Sequence, residues 1–245
     1  MRITRSIIPN LFTLANLFSG FSAITLIADG DMPKAALFIL LAGIFDALDG
    51  VVARLTKSAS ELGVELDSLC DAVSFGVVPA FMLYAIYFKP LGNIGLLIAA
   101  LPALAGVYRL ARFNAELTGL GDKEYFTGMP IPAGAVTLIS FAVFFEPSGL
   151  LPNIGKDSFV PAIITVFTSL AMISRVKFDN VPRFTAKSLR QRPFFLLCFA
   201  TAVIIGIWTK GVFVFPIMAI YLAAGFIRHL AQIFRNNTDD DGDDE

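Results

Sequence analysis

The sequence predicts an all-α protein, a polytopic transmembrane helix bundle of about eight spans with both termini cytoplasmic. Three observations lead there. Of the 245 residues, 56% are hydrophobic and only 16% charged, with a mean hydropathy of +0.73, a composition foreign to a soluble domain of this length. Apolar runs long enough to cross a bilayer, or nearly so, recur along the whole chain. The basic residues are sorted between the connections as the positive-inside rule requires.

The runs lie at about 11–28, 35–54, 62–88, 93–112, 132–146, 159–174, 194–208 and 212–231. The fifth and seventh are the weakest, and six spans result if such runs are re-entrant or lie on the surface. With the N-terminus inside, 15 of the 19 Lys and Arg residues fall in cytoplasmic segments; only Lys34, Lys89, Lys156 and Lys210 fall outside. Residues 1–10 (MRITRSIIPN) mix basic and apolar side chains and end near Pro9, which suits an interfacial amphipathic segment. Residues 11–232 then form one membrane domain, and 233–245 a disordered acidic tail. No cleavable signal peptide is expected after the first run. Two cysteines, Cys70 and Cys198, both inside apolar runs, support no disulfide framework, and a single histidine, His229, is too little for a zinc site. No nucleic-acid partner is expected.

Chemistry concentrates between Asp46 and Asp71. Asp46 and Asp49 are three apart and Asp67 and Asp71 four apart, so each pair occupies one face of its helix. Both pairs lie back from the turn around residues 56–60, and an antiparallel hairpin brings the two faces together at similar depth. The flanking runs 35–45 and 72–88 carry no charge. Four unpaired carboxylates there would cost on the order of 10 kcal/mol, so a compensating charge is required. Hard divalent cations, Mg²⁺ or Mn²⁺, choose carboxylate oxygens, and two such ions form the usual clamp for displacement at phosphorus. Asp46 lies about 12 Å deeper than Arg54, at 1.5 Å per residue, which keeps the site in the cytoplasmic half of the membrane. Gly50, Ala53 and Gly63 are small enough for a flat base, or simply a neighbouring helix, to approach closely.

The spacing D-x2-D-G-x2-A-R-x8-G-x3-D-x3-D, met at all eight fixed positions, resembles the signature of the CDP-alcohol phosphotransferase family. Tyr108-Arg109-Leu-Ala-Arg112-Phe113-Asn114, Phe126-Thr-Gly128-Met-Pro130-Ile-Pro132-Ala-Gly134 and the opening IPNLFTLANLFSGF resemble its phosphatidylserine synthase branch. Met129, where the branch usually has leucine, is a mild departure.

The resemblance implies that Asp46, Asp49, Asp67 and Asp71 hold divalent metal, two ions, and that Asp71 doubles as general base for the acceptor alcohol. It implies CDP-diacylglycerol and L-serine as substrates, phosphatidylserine and CMP as products, and a homodimer among membrane lipids, in the cell membrane with the site facing the cytoplasm. The nucleotide side would be formed by Asp46, Gly50, Ala53, Arg54 and Gly63, with Asn10 and Thr13 at the start of the first helix; capping is the plainer reading of those two. Arg109 and Arg112, three apart near the inner surface, together with Asn114, are assigned to the acceptor or lipid phosphate; the plainer reading is arginines that snorkel. Lys187, in the basic loop 174–192, is assigned to phosphate as well, against the plainer reading of a cytoplasmic loop. Other acceptors, glycerol 3-phosphate or an inositol phosphate, and an ether-lipid donor remain open within the family. Intramembrane carboxylates also mark cation transporters, but the chain lacks internal repeats or paired broken helices.

Overall fold

The computed structural model describes residues 3–56, 60–118, 128–152, 154–155, 158–176, 201 and 204–240. Every regular element among them is helical. Helix α1 spans Ile3–Ala28 and α2 Met32–Thr56. Helix α3, Glu61–Asp71, runs without a gap into a π-helical stretch, Ala72–Val77, then α4, Val78–Leu83, and a second π stretch, Tyr84–Phe88. A 3₁₀ turn, Lys89–Leu91, leads to α5, Gly92–Thr118. Helix α6, Ile131–Ile139, continues as a π stretch, Ser140–Phe145; α7 is Val160–Ile173 and α8 Val214–Asp240.

The connections follow from local chemistry. Between α1 and α2, Gly30 takes a φ of +81°, and the Asp31 carboxylate accepts from the Lys34 backbone N–H at 3.2 Å, capping α2. Helix α3 opens on Ser60, whose hydroxyl accepts from the Gly63 N–H at 3.1 Å, with Glu61 in the positive first turn. Pro9, expected to close a separate interfacial segment, lies inside α1 instead. It removes one hydrogen bond, to the carbonyl four residues back, and the 26-residue helix continues through it. Pro79, expected to kink the third run, sits in the first turn of α4 just past the π stretch, where the ladder has already widened.

Among the described residues, four stretches are long and apolar enough to cross a membrane: Ile7–Ala28, Met32–Thr56, Glu61–Ala115 and Ile131–Ser148. The third has 55 residues, far more than the ~20 that a bilayer needs. It folds back at Gly92, whose φ of +59° breaks the helix, and α5 packs against the helices that precede the turn. Val160–Ile173 and Val214–Arg228 are shorter apolar helices. Most of the run at 194–208 lies outside the described residues.

Helices α1 and α2 approach through small side chains. Ala23, Ala35, Ala36 and Ala42 are fully buried and share a core with Phe75, Val78, Met82 and Ile131. Phe18, Phe21, Leu37 and Ile44, on the same two helices, point outward, as a lipid-facing surface requires. Against the π stretch the approach is closer still. A Cβ on Gly20 would collide with the Ser74 hydroxyl and lie 3.1 Å from the Ser74 Cα, which is backbone and cannot swing away.

Gly20→Ala should therefore push α1 off the π stretch and destabilise the protein by about 1–3 kcal/mol, the usual cost of overpacking. Thermal unfolding in detergent checks this; an unchanged midpoint would show that the crossing is looser than described.

Candidate active site

Helix α2 carries Asp46 and Asp49 and helix α3 carries Asp67 and Asp71. One carboxylate oxygen each from Asp46, Asp49 and Asp67 lie within 4.8 Å of one another. At that separation ionised Asp46 and Asp67 repel each other unless a proton or a cation lies between them. Asp67 Oδ1 is buried without a partner. Three converging hard oxygen ligands with spare acceptor capacity, in an apolar helix pair, fit a divalent cation.

Asp71 follows one turn beyond Asp67 on the same face of α3. Its Oδ1 accepts from the Asn16 side-chain N–H at 2.9 Å. Thr13 does the same for the other helix, its hydroxyl donating to Asp49 Oδ2 at 2.7 Å. Helix α1 thus lies across the pair and supplies one neutral donor to each side. Thr13, Asn16 and Ser19 are all buried at three-residue intervals, one polar stripe facing inward from an apolar helix.

Toward the end of the site near the α2–α3 turn, small residues leave room. A Cβ on Gly63 would sit 3.1 Å from Ser60 Oγ and 3.5 Å from Asn10 Oδ1, so Asn10 and the first turn of α3 converge there. A Cβ on Gly50 would meet Arg54 Nη1 at 3.4 Å. Ala53 is half-buried beside them and Arg54 exposed.

On the third wall, α5 brings in the residues assigned to an acceptor. Arg109 is buried, its Nε has no partner, and its charge is within range of Asp71. Asn114 donates to Ser68 Oγ at 3.0 Å and keeps a buried Oδ1 without a partner. Arg112 is engaged differently. Its guanidinium donates to the carbonyls of Ile173 at 2.8 Å and Ser174 at 3.3 Å, where α7 ends and its last carbonyls lack helical donors. Gly128, at φ +83°, lies against the same end, donating its N–H to the Val176 carbonyl at 2.8 Å. Lys187 lies outside the described residues.

Sequence reasoning missed Asn16, Ser68 and Ser74. For Asn16 a signal existed: Asn10, Thr13, Asn16 and Ser19 recur every three residues along one helix. Ser68 and Ser74 had none, since serine is common in apolar helices.

A family model described as CDP-alcohol phosphatidyltransferase matches residues 6–178, which include every aspartate of the site and α1 that braces it. The chain belongs to the CDP-alcohol phosphatidyltransferase family. Among its relatives, a protein of Helicobacter pylori named CDP-diacylglycerol–serine O-phosphatidyltransferase is 32% identical over 91% of this chain and 90% of its own length. One of Bacillus subtilis with the same name is 33% identical over 75% of this chain and 96% of its own. An archaetidylserine synthase of Methanothermobacter thermautotrophicus is 39% identical over 71% and 70%. In this family member the match ends at residue 178, just after the α7 terminus that Arg112 clasps.

Cation binding to the trio should show in opposite responses of one variant. Without divalent ions, Asp67→Asn raises the thermal midpoint, because an amide donates to Asp46 where a second carboxylate repels it. With Mn²⁺ at a hundred times the wild-type Kd, the wild type gains about 2.7 kcal/mol and the variant gains little. Differential scanning fluorimetry in detergent measures both; equal Mn²⁺ gains in the two proteins would exclude Asp67 as a ligand.

Proposed function

We propose that this protein transfers a phosphatidyl group from CDP-diacylglycerol to the hydroxyl of L-serine, giving phosphatidylserine and CMP. The observation that supports the reading is the aspartate cluster: carboxylate oxygens of Asp46, Asp49 and Asp67 lie within 4.8 Å of one another, and Asp71, one turn on, is held by the Asn16 amide. Displacement at phosphorus needs both, charge compensation at the diphosphate and a separate carboxylate for the acceptor's proton. Relatives named CDP-diacylglycerol–serine O-phosphatidyltransferase support serine as the acceptor.

Asp46, Asp49 and Asp67, with Asp71 closing the set, would hold divalent metal, Mg²⁺ or Mn²⁺. When bound, it neutralises the diphosphate and the negative charge that develops at phosphorus. The remaining work falls to side chains. Gly50, Ala53 and Gly63 leave space for the cytidine end, and Asn10, Thr13 and Arg54 border it. Asp71 takes the proton of the serine hydroxyl as its oxygen bonds to the phosphorus nearer the glycerol. The bond from that phosphorus to the bridging oxygen breaks, and CMP leaves with the electron pair. Arg109, a buried cation near Asp71, is suited to the serine carboxylate, two carbons from the hydroxyl. Asn114 borders the same wall. Arg112 supports it indirectly by fixing the end of α7, and Lys187 is left as a phosphate contact from the cytoplasmic loop.

The same reading sets the membrane arrangement: eight spans, both termini and the open end of the site in the cytoplasm of the cell, and two copies associating in the membrane. The distribution of Lys and Arg supports the orientation. An ether-linked donor is the one alternative with a specific observation behind it, the archaetidylserine synthase relative.

Detergent-purified protein with CDP-diacylglycerol and Mn²⁺ should release CMP when L-serine is added and not with glycerol 3-phosphate, and Asp71→Asn should lower turnover by at least ~100-fold. Turnover with glycerol 3-phosphate alone would keep the family and overturn the acceptor. Arg109→Leu should raise the KM for serine about 10- to 100-fold, the worth of a hydrogen bond to a charged group, while leaving that for CDP-diacylglycerol nearly unchanged. The reverse pattern would move Arg109 to the lipid phosphate.

A further inference from the structure

We propose that Asn16 is a positioning residue that fixes Asp71 for proton abstraction, an inference that rests on the transferase reading. Asn16 is fully buried in α1 and donates its side-chain N–H to Asp71 Oδ1 at 2.9 Å. One carboxylate oxygen is thereby anchored, which removes the rotation of the Asp71 side chain and commits the other oxygen to the acceptor's hydroxyl.

The anchor is itself held. The Asn16 backbone carbonyl accepts from the Ser74 hydroxyl at 3.2 Å, three residues past Asp71 in the π stretch. One turn further along α1, Gly20 lets the two backbones close on each other. Asn16 therefore grips the Asp71 segment at two points, side chain to carboxylate and main chain to Ser74, across a crossing that has no slack. A π stretch that begins directly after the base is where such a grip has most effect, because the widened turn is the soft part of the helix.

Packing alone does not account for an amide here. Its Oδ1 is buried without a partner, so half of its hydrogen-bonding capacity is left unmet in an apolar setting. A leucine of nearly the same shape would fill the place without that cost. The amide also has a property that lysine or arginine would lack: it orients a carboxylate without neutralising it and without repelling a nearby cation.

The test separates turnover from binding. Asn16→Leu should lower kcat for serine-dependent CMP release about 10- to 100-fold, the usual effect of removing a residue that orients a ligand group. The KM for CDP-diacylglycerol should stay within about threefold, as for an interaction that matters only in the transition state. The thermal stabilisation by CMP with Mn²⁺ should match the wild type. Asn16→Ala, which only deletes atoms, should show the same division if the leucine variant does not fold. Undiminished kcat in both variants would overturn the inference. So would joint loss of kcat and of CMP–Mn²⁺ stabilisation, which would assign Asn16 to the cation cluster or to the fold. Wild-type protein that releases no CMP would instead overturn the transferase reading, and this inference with it.

Discussion

Four carboxylates on two apolar helices form the constraint that the rest of the structure serves. Each is expensive in such surroundings, and bringing three within 4.8 Å of one another adds repulsion to desolvation. Such a cluster is stable only where a proton or a cation relieves the repulsion. The spacings of three and four residues concentrate the charge on one face of each helix, so the opposite faces remain free for lipid. Thr13 and Asn16 then fix Asp49 and Asp71 with neutral donors, which leave the carboxylate charge uncompensated.

Placing such a site in a helix bundle limits what the neighbours can be. Where helices must come close, the side chains shrink to alanine and glycine; where they part, room for a ligand opens. Gly20 and Gly63 both mark close approaches of α1: a side chain on Gly20 would collide with Ser74, and one on Gly63 would meet Ser60 and Asn10. The π stretches play a related part. By adding a residue to the turn they shift the faces of the third helix after Asp71, so the aspartate face and the core face need not obey one continuous period.

The aspartate site was legible because its signal is local and periodic: two short spacings on two adjacent segments, in runs otherwise free of charge. The all-helical architecture was legible for the same reason. Asn16 escaped because a polar residue in the first helix is locally indistinguishable from a capping or packing residue; its meaning comes from Asp71, 55 positions away. The π stretches carry no sequence pattern at all. Pro79 advertised a disturbance in the helix but not its kind. Pro9 advertised a break that the helix does not make.

Arg109 and Arg112 show where local reading ends. They share a helix face, three residues apart, and sequence logic treats them as a pair of phosphate-binding arginines. Their surroundings separate them. Arg112 reaches the carbonyls that end α7, and so satisfies its charge within the protein. Arg109 lies deeper, with a buried nitrogen that no protein group satisfies. A guanidinium whose donors are already used by backbone carbonyls has less to offer an anion, whereas one left unsatisfied in an apolar wall gains most when an anion arrives. The aspartates divide in the same way, since Asp46, Asp49 and Asp67 converge while Asp71 accepts from Asn16 of α1. In both sets the sequence shows equivalent residues, and it is the third helix in contact, α7 for the arginines and α1 for the aspartates, that makes them different.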